Sequence, residues 1–188
     1  MRRRIWKRDL VVSTGIIVTS ALILLAMGRV PICECGVVRI WSGEIFGSEN
    51  SQQITDPYTF THLIHGALLY GIVWLVVGKG MRLGSRLVWA IALESIWEIV
   101  ENTNYVINRY RAATVSLDYY GDSVVNSVTD ILAMAFGFWL VSRLRIRVSI
   151  ALMVVIDVAL LIVVRDSLAV NIIMLVHPVD AIRQWQLR

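Results

Sequence analysis

Charge is scarce in this chain, and so are the signatures of soluble enzymes. Asp, Glu, Lys and Arg make up 17% of 188 residues against 57% hydrophobic, and the mean hydropathy is +0.67, well above the usual soluble balance. There is no Walker loop, no Rossmann glycine pattern, no His-Glu-x-x-His zinc motif and no Gly-x-Ser-x-Gly elbow, which sets aside several familiar enzyme classes. There is no low-complexity tract and no clear internal repeat. The two cysteines are too few to make a thiolate metal site by themselves. The net charge of +4 is mostly topogenic, so it does not argue for nucleic acid as a partner.

What the chain does have is long apolar runs. A helix needs about 20 residues to cross roughly 30 Å of hydrocarbon. Spans are expected at 10–27, 58–78, 83–102, 121–142 and 148–164, an all-α integral membrane bundle of about five helices forming one membrane domain over 1–188. Basic residues set the orientation. Arg2, Arg3, Arg4, Lys7 and Arg8, then Lys79, Arg82 and Arg86, then Arg143, Arg145 and Arg147 are eleven of the 18 Lys and Arg. All fall on one side, in a short tail and two tight turns. The positive-inside rule therefore predicts a cytoplasmic amino terminus, a periplasmic carboxyl terminus and a multi-pass protein of the inner membrane. The first span, ending at Ala26-Met27-Gly28, has the look of a secretory signal. Its apolar core is longer than that of a usual signal and favours an uncleaved anchor.

Two outer loops follow from this topology. Residues 28–57 are polar, rich in turn formers and expected to fold back over the bundle. Cys33 and Cys35 lie there, as a local staple or as free thiols. In residues 103–120, Tyr105, Tyr110, Tyr119 and Tyr120 suit an interfacial aromatic belt. The tail after Ser167, with Trp185, suits docking at the outer headgroup region.

The ionisable residues inside the spans are the candidate site. Glu94, Glu98 and Glu101 are spaced by four then three and share one helical face. His62 and His65 open the second span, and Asp122, Asn126 and Asp130 open the fourth at intervals of four. Most of these groups fall near the outer boundary, with Glu94 deeper. Membrane helices retain such groups only where they face protein, water or an ion. His62, His65, Glu98 and Asp130 are candidate ligands for a divalent metal, since imidazole with carboxylate suits Zn²⁺, Mn²⁺ or Fe²⁺. Glu98, Asp130, His62, His65 and Glu101 are the candidate catalytic residues, and Arg109, Arg111, Asp122 and Asn126 the candidate substrate-binding ones. An Arg fork there would neutralise a phosphate-like oxyanion. Interhelical hydrogen bonding for Asn126, Ser127 and Thr129, and ion pairing for Arg109 and Arg111, are the alternatives. Asp157 stands apart as a helix-helix hydrogen bonder or ion-pair member. Arg165 and Asp166 are expected at the interface.

The segments SENSQQITDPYTFTHLIHG, WEIVENTNYVINRYR, SLDYYGDSVVNSVTDILAMAFGF and HPVDAIRQW together resemble a proteobacterial family of inner-membrane proteins of unknown function, over nearly the whole chain. That resemblance implies a multi-pass membrane protein and no particular reaction. A looser likeness, over about 80 residues, is to the VanZ-like membrane proteins, with Asp56, His62, Glu98, Arg109, Asp122, Asn126 and Asp130 in the places of that pattern. The expected function is metal- or acid/base-assisted chemistry on a lipid or lipid-linked envelope substrate entering from the bilayer. The alternatives are a small ion-coupled carrier, which with so few spans requires an oligomer or a broken helix, and a scaffold of an envelope complex.

Overall fold

A computed structural model describes residues 6–77 and 80–187. Arg2, Arg3, Arg4 and Lys79 of the topology count, and Gly78 at the end of the second expected span, lie outside the described residues. Helices run in the order α1 (Lys7–Ala26), α2 (Thr59–Val76), α3 (Leu83–Glu101), α4 (Asn104–Ala113), α5 (Val124–Val141), α6 (Ile146–Val163), α7 (Leu168–Val176) and α8 (Asp180–Gln186). Among the described residues the only extended pairing is an isolated bridge between Trp41 and Thr55. The protein is all-α.

Four helices, α1, α2, α5 and α6, are long and apolar enough to cross a membrane. The expected fifth, α3, has 19 residues but carries Arg86, Glu94, Glu98 and Glu101, too many charges for the same criterion. Burial explains how it tolerates them. Arg86, Glu94 and Glu98 point into the protein, while Trp89, Leu93, Ile96 and Val100 cover the outer face. The same inversion runs through the molecule: Ser13 and Ser20 of α1 are buried while Val11 and Leu22 are exposed, and α6 buries Ser149 while exposing Ile150 and Ile162. An apolar exterior this continuous needs a lipid surround, not water.

The bundle is locked where α2 meets α5. A Cβ on Gly66 would collide with the Met134 carbonyl and the Phe138 amide, and one on Gly137 would collide with the Leu63 carbonyl. Two glycines therefore let the backbones touch, as small residues do in membrane helix pairs. From there toward the α2–α3 turn, Val73, Leu87, Ala90, Ile91, Ile131, Met134 and Phe138 form the apolar core. The Arg82 guanidinium lies 3.9 Å from the centre of the Trp6 ring, so the starts of α1 and α3 share an end of the bundle. That is the basic end.

The opposite end is polar and tied by loops. Residues 28–57 do fold back, through hydrogen bonds to the start of α5: Gln52 Nε2 donates to the Gly121 carbonyl (2.6 Å), Ser123 Oγ to the Gln52 carbonyl (3.0 Å), and Asn126 Nδ2 to the Gln53 carbonyl (2.9 Å). Cys33 and Cys35 are joined as a disulfide, the staple alternative. The loop expected over 103–120 contains α4, whose first turn is capped by the Thr103 hydroxyl accepting from the Val106 amide. The tail folds as α7 and α8. Arg165, at φ 55°, makes the left-handed bend that turns the chain from α6 toward α7. Asp157 accepts from the Leu168 amide (3.0 Å), holding α7 to the end of α6.

Candidate functional site

Helix register, not proximity in sequence, brings the site together. His62 and His65, three apart on α2, face Glu94 on α3. One oxygen, Glu94 Oε1, lies 2.6 Å from His62 Nδ1 and 2.9 Å from His65 Nδ1. An ionised carboxylate oxygen only accepts, so both rings donate from Nδ1, and in its neutral form each carries its lone pair on Nε2. Glu94 thereby fixes two tautomers at once, as carboxylates do behind metal-bound histidines. The spacing of the three glutamates put Glu94 on the right face, yet it was not among the expected catalytic or metal residues. Its depth hid a positioning role.

His62 also has carboxylates on its other sides. Glu98 Oε1 is 3.4 Å from His62 Nδ1, and Asp130 Oδ2 is 3.7 Å from His62 Nε2. Ligand atoms of His62, Glu98 and Asp130 all lie within 4.8 Å of one another, and those of His62, His65 and Glu94 form a second such group. Glu98 is 0% exposed and Asp130 3%. Both Glu98 oxygens and Asp130 Oδ1 have no hydrogen-bond partner among the described residues. Three buried carboxylate oxygens without a protein partner carry a large desolvation cost unless a cation, a proton or water joins them. One nitrogen and two carboxylates are a donor set for Zn²⁺, Mn²⁺ or Fe²⁺.

The centre opens into a cavity of about 240 Å³ lined by His62, His65, Glu101, Asp122 and Asp130, with Tyr58, Tyr110, Tyr119 and Trp97 as aromatic walls and Leu168, Ile172 and Leu175 of α7 as an apolar one. Each tyrosine hydroxyl donates to a carboxylate: Tyr58 to Asp166 (3.1 Å), Tyr119 to Asp122 (2.9 Å) and Tyr110 to Glu101. Asp122 is held further by Asn102, whose Nδ2 donates to Oδ2 (2.8 Å) and whose Oδ1 accepts from the Asp122 amide (2.7 Å). Burial, with the neighbouring carboxylates, raises the Tyr110 and Tyr119 phenols well above their ordinary range, so both remain O–H donors. Burial likewise pushes Asp166 up to about 6, against the lowering effect of donors from Ser167, Tyr58 and Asn171.

The chain can now be placed among known proteins. A family described as "Protein of unknown function (DUF2585)" matches residues 24–188. The chain belongs to this family. Similar proteins are a UPF0314 protein of Paracoccus denitrificans (strain Pd 1222), 51% identical over 171 residues covering 91% of this chain and 88% of that protein, and UPF0314 protein NGR_c32320 of Sinorhizobium fredii, 48% identical over 177 residues covering 94% and 89%. A UPF0314 protein of Novosphingobium aromaticivorans is 49% identical over 179 residues, covering 92% and 89%. No solved structure matches the chain.

Not every expected site residue of this family member reaches the cavity. Asn126 is fully buried and donates to the Gln53 carbonyl and to Asp56 Oδ2, which places it in packing. Asp56 itself accepts from the Tyr58 and Thr59 amides (2.7 and 3.1 Å) and so caps α2. Arg109 reaches the Leu175 and Val176 carbonyls, and Arg111 donates to the Leu117 carbonyl and lies over the Tyr120 ring. Neither lines the cavity, because the carbonyls at the end of α7 and the loop after α4 claim them. Tyr105 and Tyr120 are exposed as an interfacial belt requires, but Tyr119 is buried and Tyr110 faces the cavity. Arg165 is exposed while Asp166 turns inward, a consequence of the left-handed bend that separates them.

Proposed function

We propose that the protein is a multi-pass inner-membrane enzyme whose outer-side centre of His62, Glu98 and Asp130 holds a divalent metal and acts on a lipid or lipid-linked envelope substrate. In this reading α3 is the fifth span, the amino terminus is cytoplasmic and the polar end of the bundle faces the periplasm. The observation that carries the reading is the convergence of two buried carboxylates, Glu98 and Asp130, on one imidazole, with three of their four oxygens lacking a hydrogen-bond partner among the described residues. The metal would supply Lewis acidity for hydrolysis or group transfer. Glu94 keeps His62 and His65 in the tautomer that leaves Nε2 free. His65 and Glu101, on the cavity wall, would take and return the proton of the attacking water or hydroxyl. Asp122 and the tyrosines would position the substrate head, and the α7 wall would take its apolar part. Arg109 and Arg111 serve here by holding α4 to α7 and to its own loop.

Elemental mass spectrometry tests this on detergent-purified protein supplemented with Zn²⁺, Mn²⁺ and Fe²⁺. Stoichiometric metal is expected in the wild type, falling about tenfold or more in Glu98→Gln and Asp130→Asn at unchanged size-exclusion profile. A wild type that stays metal-free under supplementation overturns the metal centre. A carrier would draw on the same carboxylates but must pass the apolar core packed beside the site, which with so few spans requires an oligomer or a broken helix. A scaffold should tolerate paired apolar replacement of Glu98 and Asp130 with its fold unchanged, whereas the enzyme should lose activity in Glu98→Gln while keeping its fold.

A further inference from the structure

The cavity is rich in acceptors and poor in donors. Among the described residues lining it there is no Lys or Arg. Most of the side-chain donors in the lining are already engaged: the three tyrosine hydroxyls with carboxylates, Asn50 Nδ2 with the Ile45 carbonyl, Ser51 Oγ with Asn50 Oδ1, Thr61 Oγ1 with the Tyr58 carbonyl, Ser116 with Tyr58 and Asn171 with Asp166. Against these stand carboxylates: Glu101, Asp122 and Asp130 line the cavity, and Asp130 Oδ1 is buried without a hydrogen-bond partner among the described residues. Tyr110 and Tyr119 meet edge to face, with centroids 5.7 Å apart at 77°, beside Tyr58 and Trp97. Aromatic faces with carboxylates behind them are the chemistry that holds organic cations. A phosphate or sulfate head would meet three carboxylates and no Lys or Arg among the described lining residues.

A second feature says what the cation is attached to. His65 and Trp97 line both this cavity and a groove of about 200 Å³ between α2 and α3, whose other walls are Leu68, Leu69, Ile72, Leu93 and Glu94. Leu68, Ile72 and Leu93 lie on the exposed apolar face of their helices. The groove therefore leads from the polar cavity to the lipid-facing surface.

We propose that the occupant of the cavity is an amphiphile with an ammonium head, caged by Tyr110, Tyr119 and Trp97 against Glu101 and Asp130, and with an apolar tail laid in the α2–α3 groove. This rests on the proposed lipid-substrate reading and names its head-group class. The test is calorimetric titration of the purified full chain in a neutral maltoside detergent with octyltrimethylammonium, octyl sulfate and choline, with metal content measured on the same samples. Octyltrimethylammonium should bind at least about tenfold more tightly than octyl sulfate or choline. Tyr110→Leu and Glu101→Gln should each weaken it about tenfold, and Tyr110→Phe should keep it within about threefold, because the ring face is retained. Octyl sulfate binding as well as the ammonium, or no ammonium binding with metal retained, overturns this inference and leaves the metal centre standing. Choline matching octyltrimethylammonium overturns the tailed occupant. Absent metal with the ammonium preference intact supports the inference and overturns the metal centre.

Discussion

The two ends of the bundle are held together by different physics. Toward the basic end, α2, α3 and α5 pack through glycines and an apolar core that includes Ile131, Met134 and Phe138. The charged group there, Arg86, lies over the Tyr70 ring at 4.9 Å. Toward the other end the same three helices meet through His62, Glu94, Glu98 and Asp130, and through loop carbonyls that bond Asn126 and Ser123. The three Arg86 nitrogens have no hydrogen-bond partner among the described residues, so the basic end carries a buried charge met by a ring face. The polar end is internally satisfied around its rim and unsatisfied at its centre. A fold selected for stability alone would pair or remove Glu98 and Asp130, so the difference points to a site.

The contrast can be broken most severely at Gly137. Gly137→Val should abolish recovery of monodisperse protein by size exclusion, since the added atoms meet the Leu63 backbone, which cannot move aside. Met134→Ala should cost about 2 to 5 kcal/mol in thermal or denaturant unfolding, with metal content unchanged. Asp166 sharpens the picture through pH. Its folded-state pKa is raised from 3.8 to about 6 by burial. The native state therefore binds the proton more tightly than the unfolded chain, a stabilisation fully present below pH of about 4 and lost as pH rises through about 6. Asp166→Asn should remove up to about 3 kcal/mol of that pH dependence, seen as a flatter unfolding-temperature profile from acid to neutral pH. At the centre the sign reverses. Glu98→Gln should stabilise the metal-free protein by about 1 to 3 kcal/mol, and a loss of stability instead would mean that the carboxylate is paired. Smallest is the rim: Thr103→Ala, removing the α4 cap, should cost about 1 kcal/mol and leave ammonium binding within error.

The division between what the sequence reveals and what it hides follows the same line. Long apolar runs place α1, α2, α5 and α6 within three residues of the expected spans, because length and hydropathy are local properties. The α4 helix is missed since Asn104–Ala113 is only 10 residues long and its tyrosine, arginine and asparagine hide a short stripe of Ile107, Tyr110 and Ala113. The shared faces of His62 with His65, and of Glu94 with Glu98, are legible from spacing. Which carboxylate meets which imidazole is not, because that depends on how far α3 slides along α2. Tyr110 and Tyr119 carry the same signature as belt tyrosines. Only the folding of α4 over the bundle distinguishes them from Tyr105 and Tyr120. Arg109 and Arg111 are long enough to reach a substrate or a helix end, and the carbonyls at the end of α7 and in the loop after α4 decide.

The tie between residues 52–53 and the start of α5 has a bearing on synthesis. Ser123 and Asn126 find their partners 71 and 73 residues earlier in the chain. At roughly 5 to 20 residues per second, Gln52 and Gln53 wait about 4 to 15 s for the helix that will bury them. During that interval α1 and the first loop exist without the surface they fold onto, and His62 emerges before any of the carboxylates on α3 or α5. The order of the chain thus delays the closing of the charged centre until α5, with its last acid, is made.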